Sequence, residues 1–187
     1  METVNFTRMI DGTAEEYAFL EHLEKQYTAK LPDRIMAALS GLENSLSGYR
    51  VSRLEHSLQS ATRAYNDKRP VDYVVAALIH DVGDELAPYS HSELAASILR
   101  PFVDDRLHWI IKYHGVFQMY YYGEQMGINR HARDKFKEHP YFDDAVEFCE
   151  RYDQNCFDPS FAWQPLSFFQ PMVEEVFTRE PLFSDAV

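Results

Sequence analysis

The chain has 187 residues, 45% of them apolar, and a formal net charge of −12 at pH 7. This length allows one hydrophobic core and is short for two, so we predict a single domain over residues 1–187. The negative charge repels phosphate backbones and anionic lipid headgroups, which argues against nucleic acid and membranes as partners. The sequence has no leader-like segment and no apolar stretch of membrane-spanning length, so we expect the protein in the cytoplasm.

Apolar residues recur at spacings of three and four along the sequence, which predicts an all-α helical bundle. Thr13 and Glu16 have the spacing of a capping box, in which each side chain bonds the backbone N–H of the other, and predict a first helix from Thr13 to about Ala29. A second helix is predicted after Pro32, ending near Gly48. Its core-facing residues are expected to be Ile35, Leu39, Leu42 and Leu46.

A third helix is predicted near Val51 to Asn66, and a fourth from Val71 to about Val82, closed by Gly83. The fourth is almost entirely apolar, which predicts a position at the centre of the bundle. The core-facing residues of the third helix are expected to be Leu54, Leu58, Ala61 and Tyr65.

The second half of the chain carries further helix signals. Ser90 and Glu93 form another candidate capping box, so a helix is expected to begin at His91 and to end before Pro101. The next helix is expected to be capped by Asp104 or Asp105. The last two helices are predicted near Pro140–Asp153 and Pro171–Phe177.

Helical spacing directs two ionisable side chains toward the core. His114 shares a face with Ile110 and Ile111, and Asp153 follows Cys149 at the spacing of one helical turn. An unpaired buried charge costs several kcal/mol, so such groups need partners. A lone inward histidine is usually satisfied by ordinary core contacts, but two inward groups on separate helices weaken that interpretation.

The segment AALIHDVGDE places His80 and Asp81 side by side at the end of the most apolar helix. There they can bracket one ion, and the second carboxylate oxygen of Asp81 can reach another. His91 and His114 follow on later helices, and His56 precedes them on a polar stripe with Gln59, Ser60 and Arg63. That stripe is either a solvated surface or the lining of a wet cavity in the bundle, and the neighbouring histidines favour the cavity.

In this order, His56, the pair His80–Asp81, and Asp153 resemble the H…HD…D motif of the HD-domain superfamily, and His91 and His114 resemble the extra histidines of its dimetal members. The resemblance implies an HD-type helical bundle with a metal-binding core at about 51–155, on which helices at 13–47 and the segment 156–187 pack. It also implies that Asp81, the catalytic residue, bridges two metal ions. The first ion would bind His56, His80, Asp81 and Asp153, and the second Asp81, His91 and His114.

Dimetal members of the superfamily divide into oxygenases and phosphohydrolases. The L-E-H-S-L-Q sequence around His56 and the short interval between His91 and His114 are more similar to the oxygenases, such as inositol oxygenase. That similarity implies two iron ions, Fe(II)/Fe(III), and the use of O2 to cleave a C–C or C–P bond beside a hydroxyl-bearing carbon of a small polar substrate. The alternatives are a hydrolase of a nucleotide or small phosphate ester, with Mn or Mg, and a binding protein that keeps the metals for stability.

Three further residues are candidate substrate contacts. Gln118 lies four residues after His114, where phosphonate-cleaving relatives are expected to carry a lysine, and this neutral side chain disfavours a phosphonate. Tyr49 precedes His56 by seven residues and could guard the site, or simply pack. Arg151, two residues before Asp153, could neutralise a substrate anion or form a surface ion pair. The sequence leaves the oligomeric state open.

Overall fold

Helices account for the regular structure of the chain, as the apolar spacing predicts. The computed structural model describes residues 2–182, which contain eight α-helices and no strand. The predicted C-terminal segment is therefore described only to residue 182. The helices are α1 Ala14–Thr28, α2 Leu31–Gly41, α3 Arg53–Asn66, α4 Val71–Ile79, α5 His91–Leu99, α6 Asp105–Tyr122, α7 Phe142–Phe148 and α8 Leu166–Phe177. Short 3₁₀ turns occupy Met9–Asp11, Leu42–Asn44 and Ala132–Phe136, and a π-helix at Cys149–Asp153 continues α7.

The apolar helix α4 lies at the centre of the bundle, as predicted. All its residues from Tyr73 to Ile79 are buried, and α3, α6 and α8 pack around it. Burying one aliphatic side chain of this kind contributes about 1.5–3 kcal/mol, so α4 supplies a large part of the driving force for folding. His80 and Asp81 follow directly at its C-terminal end, and both are buried in the interior.

The three helices predicted from capping signals begin where expected, but the capping hydrogen bonds form in only two of the three. The box of Thr13 and Glu16 forms with both of its hydrogen bonds, and Asp104 accepts a bond from the backbone N–H of Leu107 at 2.7 Å. The predicted box of Ser90 does not form, although α5 does begin at His91. The backbone of Ser90, at φ −150° and ψ 33°, is not in the extended conformation that aims a capping side chain at the helix.

Three predicted helix boundaries are wrong. Helix α4 ends at Ile79 rather than near Val82 and is not closed by Gly83, because the chain continues in tighter turns, such as the one closed by the hydrogen bond from Val82 N–H to the Ile79 carbonyl oxygen at 2.9 Å. Helix α2 ends at Gly41 rather than Gly48, because a 3₁₀ turn follows it and breaks the period of the stripe, and Leu46 is 64% exposed as a result. Helix α8 begins at Leu166, so Pro171 lies inside it rather than at its start. Proline removes a backbone hydrogen bond there, and the buried apolar face of α8 compensates for that loss.

None of the helices within residues 2–182 has both the length and the apolarity needed to cross a lipid bilayer.

Candidate metal centre

Helix α3 is buried on its apolar side, where Leu58 and Ala61 join the core as predicted, and also on its polar side, which carries His56. Tyr65, expected in the core, is 42% exposed. The chain that follows the π-helix crosses the polar side of α3, where Nδ1 of His56 lies 3.1 Å from the carbonyl oxygen of Cys156. This crossing segment supplies main-chain partners, and Gln59 donates its amide to the carbonyl oxygen of Asp158 at 2.9 Å. The fully buried polar residues of α3 are His56, Ser57, Gln59 and Ser60. This polar face is therefore not a solvated surface, and His56 lies on it.

Four imidazole rings converge beside this buried polar face, and all four have the same arrangement. Nδ1 of each ring faces an oxygen atom of the protein, and Nε2 faces the inside of the cluster. For His56, His80 and His114, the Nδ1 atoms lie 3.1, 2.7 and 2.7 Å from the carbonyl oxygens of Cys156, Ala77 and Ile111, respectively. For His91, Nδ1 lies 3.5 Å from a carboxylate oxygen of Asp84. This arrangement assigns the ring proton to Nδ1 and directs the Nε2 lone pair inward.

The carboxylate of Asp81 lies between two pairs of these rings. Its Oδ2 atom is 3.2 Å from Nε2 of His56 and 3.4 Å from Nε2 of His80. Its Oδ1 atom is 3.2 Å from Nε2 of His114 and 3.5 Å from Nε2 of His91. Each oxygen of one carboxylate thus faces its own pair of nitrogen donors, which is the arrangement expected of a ligand that bridges two cations.

Asp153 completes the buried side of the cluster. Its Oδ1 atom is 3.5 Å from Nε2 of His56 and 3.7 Å from Nε2 of His80. The π-helix, with a backbone hydrogen bond from Gln154 to Cys149 of 3.0 Å, widens the last turn of this segment at the point where Asp153 enters the site. The second oxygen of Asp153 is buried and has no hydrogen-bond partner. A buried carboxylate oxygen without a partner is costly, and a cation would compensate it.

These residues fit metal ions by geometry and by chemistry. The Nε2 atoms of His56 and His80 are only 3.0 Å apart, and two neutral rings with inward lone pairs would repel each other at that distance. Either a proton or a metal cation must lie between them. Three overlapping groups have ligand atoms within 4.8 Å of one another: His56, His80 and Asp81; His80, His114 and Asp153; and Asp81, His91 and His114. Imidazole and carboxylate donors suit iron, manganese and zinc.

The electrostatics of the metal-free cluster support the same conclusion. Burial alone lowers the pKa of His56, but contacts with Asp153 and Asp81 outweigh it and raise that pKa to about 9. Burial alone raises the pKa of Asp81, but His80 and Arg53 outweigh it and hold the pKa well below its usual value. For Asp153, burial is likewise outweighed, and hydrogen bonds from His56 and His80 lower the pKa. A proton on His56 therefore occupies the place where a metal cation would fit.

Sequence reasoning missed two charged residues of the site, Arg53 and Asp84. The guanidinium of Arg53 is buried at the start of α3, bonds to Oδ2 of Asp81, and donates from Nε to Oδ2 of Asp84 at 2.6 Å. The signals were present: Arg53 precedes His56 by one helical turn, and Ser52 and Glu55 form a capping box that fixes the start of α3.

The structure brings two of the three predicted substrate contacts to the site. Gln118 donates its amide to Oδ1 of Asp153. Tyr49, which is 53% exposed, stacks on Phe157 with ring centroids 5.0 Å apart, and Phe157 stacks on His56 at 4.4 Å. Arg151 is not brought to the site.

Arg151 lies instead on the surface beside the end of α3. Its side chain is 48% exposed and pairs with Asp67 at 2.6 Å and with Glu147 at 3.2 Å. The reason is the spacing: residues two apart lie on opposite sides of a helical turn, so the turn that directs Asp153 inward directs Arg151 toward solvent.

Comparisons with protein families and with curated proteins find no match for this chain.

Proposed function

We propose that this protein is a dimetal enzyme of the HD-domain type, and specifically a di-iron oxygenase. It would use O2 to cleave a C–C or C–P bond next to a hydroxyl-bearing carbon of a small polar substrate. The observation that supports this proposal is the position of Asp81, whose two carboxylate oxygens each face a separate pair of imidazole Nε2 atoms. The order of the ligand residues along the chain supports the superfamily, and the sequence around His56 supports the oxygenase branch.

The two ends of the cluster differ in ways that suit such a reaction. The end at Oδ2 of Asp81 offers three more side chains, His56, His80 and Asp153, all fully buried. The end at Oδ1 offers only two more, and one of them, His91, has a side chain that is 26% exposed. Iron ions, when bound, supply O2 binding and one-electron oxidation, and fewer protein ligands leave more positions open. Substrate and O2 would therefore approach from the His91 side.

The residues around the cluster exclude water from its buried end. Phe157 covers the ring of His56, and Tyr49 covers Phe157 on the outside. Cys149 donates its thiol to the carbonyl oxygen of His114 at 3.3 Å, which fixes the backbone that carries this ring. Exclusion of water protects a reactive intermediate from side reactions and strengthens the local electrostatic interactions.

A phosphohydrolase is the second candidate, and Arg53 favours it. A guanidinium beside the bridging carboxylate is the group that would stabilise the charge of a transferring phosphate, with Mn or Mg lowering the pKa of a bridging water. The oxygenase remains first because the four imidazole nitrogens of the cluster suit iron better than Mg, which prefers oxygen ligands.

An experiment on the metal separates the two candidates without knowledge of the substrate. Metal-free protein is reconstituted with Fe(II) under nitrogen and then partly oxidised, and electron paramagnetic resonance is recorded. The oxygenase proposal predicts a signal from a coupled, half-reduced iron pair, and O2 uptake with a panel of small vicinal polyols and hydroxyphosphonates. Release of phosphate from nucleotides by the Mn-loaded protein under nitrogen, without an iron-pair signal, would select the hydrolase. Asp81→Asn is the control that should abolish either activity.

A further inference from the structure

The four rings of the cluster are not held equally. Three of them have Nδ1 on main-chain carbonyl oxygens, which move only with the backbone. His91 differs, because its Nδ1 faces a side chain, Asp84, at 3.5 Å, and because it is the only one of the four that is partly exposed to solvent. It also begins α5, where a helix frays most readily. A ring in this position needs an additional constraint to keep its Nε2 atom on Asp81.

Asp84 is itself fixed on its other side. Its Oδ2 atom accepts a hydrogen bond from Nε of Arg53 at 2.6 Å, and the same guanidinium bonds to Asp81. Arg53 therefore joins the bridging carboxylate to the carboxylate that faces His91. Both side chains of this link are largely buried, which makes the ion pair stronger than one at the surface.

The backbone brings Asp84 and His91 together by close packing. A Cβ atom at Gly83 would lie 2.6 Å from the carbonyl oxygen of His91 and 2.8 Å from its Cα atom. Only a residue without a side chain allows the turn after Asp81 to approach the start of α5 so closely. The turn and the helix start are thus in direct contact, and Asp84 is the side chain placed to bridge them.

We propose that Asp84, held by its ion pair with Arg53, is a positioning residue that orients His91. It would thereby set the affinity of the metal position that includes His91, which is the more exposed of the two. This inference rests on the proposed dinuclear centre. Asp84 is not a third ligand of that position, because it lies on the Nδ1 side of the ring whereas the ligand atom Nε2 faces Asp81. A carboxylate that accepts the Nδ1 proton of a ligand histidine fixes its tautomer and raises its basicity, and loss of such a group lowers metal affinity about 10- to 100-fold.

The test counts bound Mn(II) in metal-free protein, from the resonance signal of the free ion during a titration. Wild type is expected to bind two ions. Asp84→Ala should bind the first ion with unchanged affinity and the second about 10- to 100-fold more weakly. Asp84→Asn keeps an acceptor oxygen and should lose less. Glu85→Ala is the matched control, because it removes the same charge from the neighbouring exposed residue and should leave both affinities unchanged.

Nitrogen-15 resonance of the histidine rings provides a readout that does not need metal. In metal-free wild type, His91 is expected to carry its proton on Nδ1, and Asp84→Ala should convert it to a mixture of tautomers while the other three cluster rings keep theirs. Unchanged His91 resonances, or two unchanged Mn(II) affinities in Asp84→Ala, would overturn the role of Asp84. Binding of a single Mn(II) by wild type would instead contradict the dinuclear centre, and the ring resonances would still decide what Asp84 does.

Discussion

Replacement of Asp81 by asparagine is the substitution with the largest expected consequence, because this carboxylate has two tasks. In the metal-free protein it compensates the buried guanidinium of Arg53. Removing one partner of a buried ion pair costs about 3–5 kcal/mol, since the other charge stays buried. Asp84 still pairs with Arg53 at 2.6 Å, which places the expected loss near the lower end, about 3 kcal/mol. In the metal-loaded protein both cation positions lose a shared ligand.

Urea unfolding in the presence of a chelator measures the first effect, and metal analysis after reconstitution measures the second. Asp144→Asn is a suitable control, because its pair with Arg106 is partly exposed and should contribute less than about 1 kcal/mol. We expect Asp81→Asn to keep its helical content and to bind no stoichiometric metal. If it unfolded within 1 kcal/mol of wild type and still bound two ions per chain, the assignment of Asp81 as a bridge would be wrong.

Three further predictions concern the metal-free cluster, the surface and the core. The pKa of His56 is about 9 in the folded chain and near 6.5 in the unfolded one, so the free energy of unfolding should fall by about 3 kcal/mol between pH 6.5 and pH 9. Bound metal should remove this dependence on pH. A free energy of unfolding, measured in urea, that does not change over this range would contradict the prediction. Arg151→Gln should change the free energy of unfolding by less than about 1 kcal/mol and leave the metal content unchanged. Loss of metal in this variant would show that Arg151 does act at the metal site. Leu78→Ala should cost about 2–5 kcal/mol in the same urea assay, because its fully buried side chain packs in the central core, and a smaller loss would contradict the position of α4.

The sequence predicts the helical class and the position of the central helix because both depend on local apolar periodicity. The six predicted ligand residues come together, and four of them do so for a related reason: His114 and Asp153 lie on apolar stripes, and His80 and Asp81 end the most apolar helix. Periodicity directs a side chain inward, and the number of inward imidazoles then indicates the site.

Long-range packing explains what the sequence did not predict. A distant segment, 156–164, crosses the polar face of α3 and offers its backbone as a partner, as the bond from Gln59 to Asp158 illustrates. A helical wheel of α3 cannot show this. Arg53 likewise became part of the site through contacts with Asp81 and Asp84, about thirty residues away along the chain. For Arg151 the sequence left a substrate contact and a surface ion pair open, and only the positions of Asp67 and Glu147 in the fold show that it forms the ion pair.

The most direct test of the account is the metal content of protein purified without chelators and under nitrogen. Two metal ions per chain, lost together in Asp81→Asn, are the result that a carboxylate-bridged pair predicts. Protein that is folded, binds at most one ion per chain at saturating Fe(II) or Mn(II), and keeps that ion when Asp81 is replaced would contradict it.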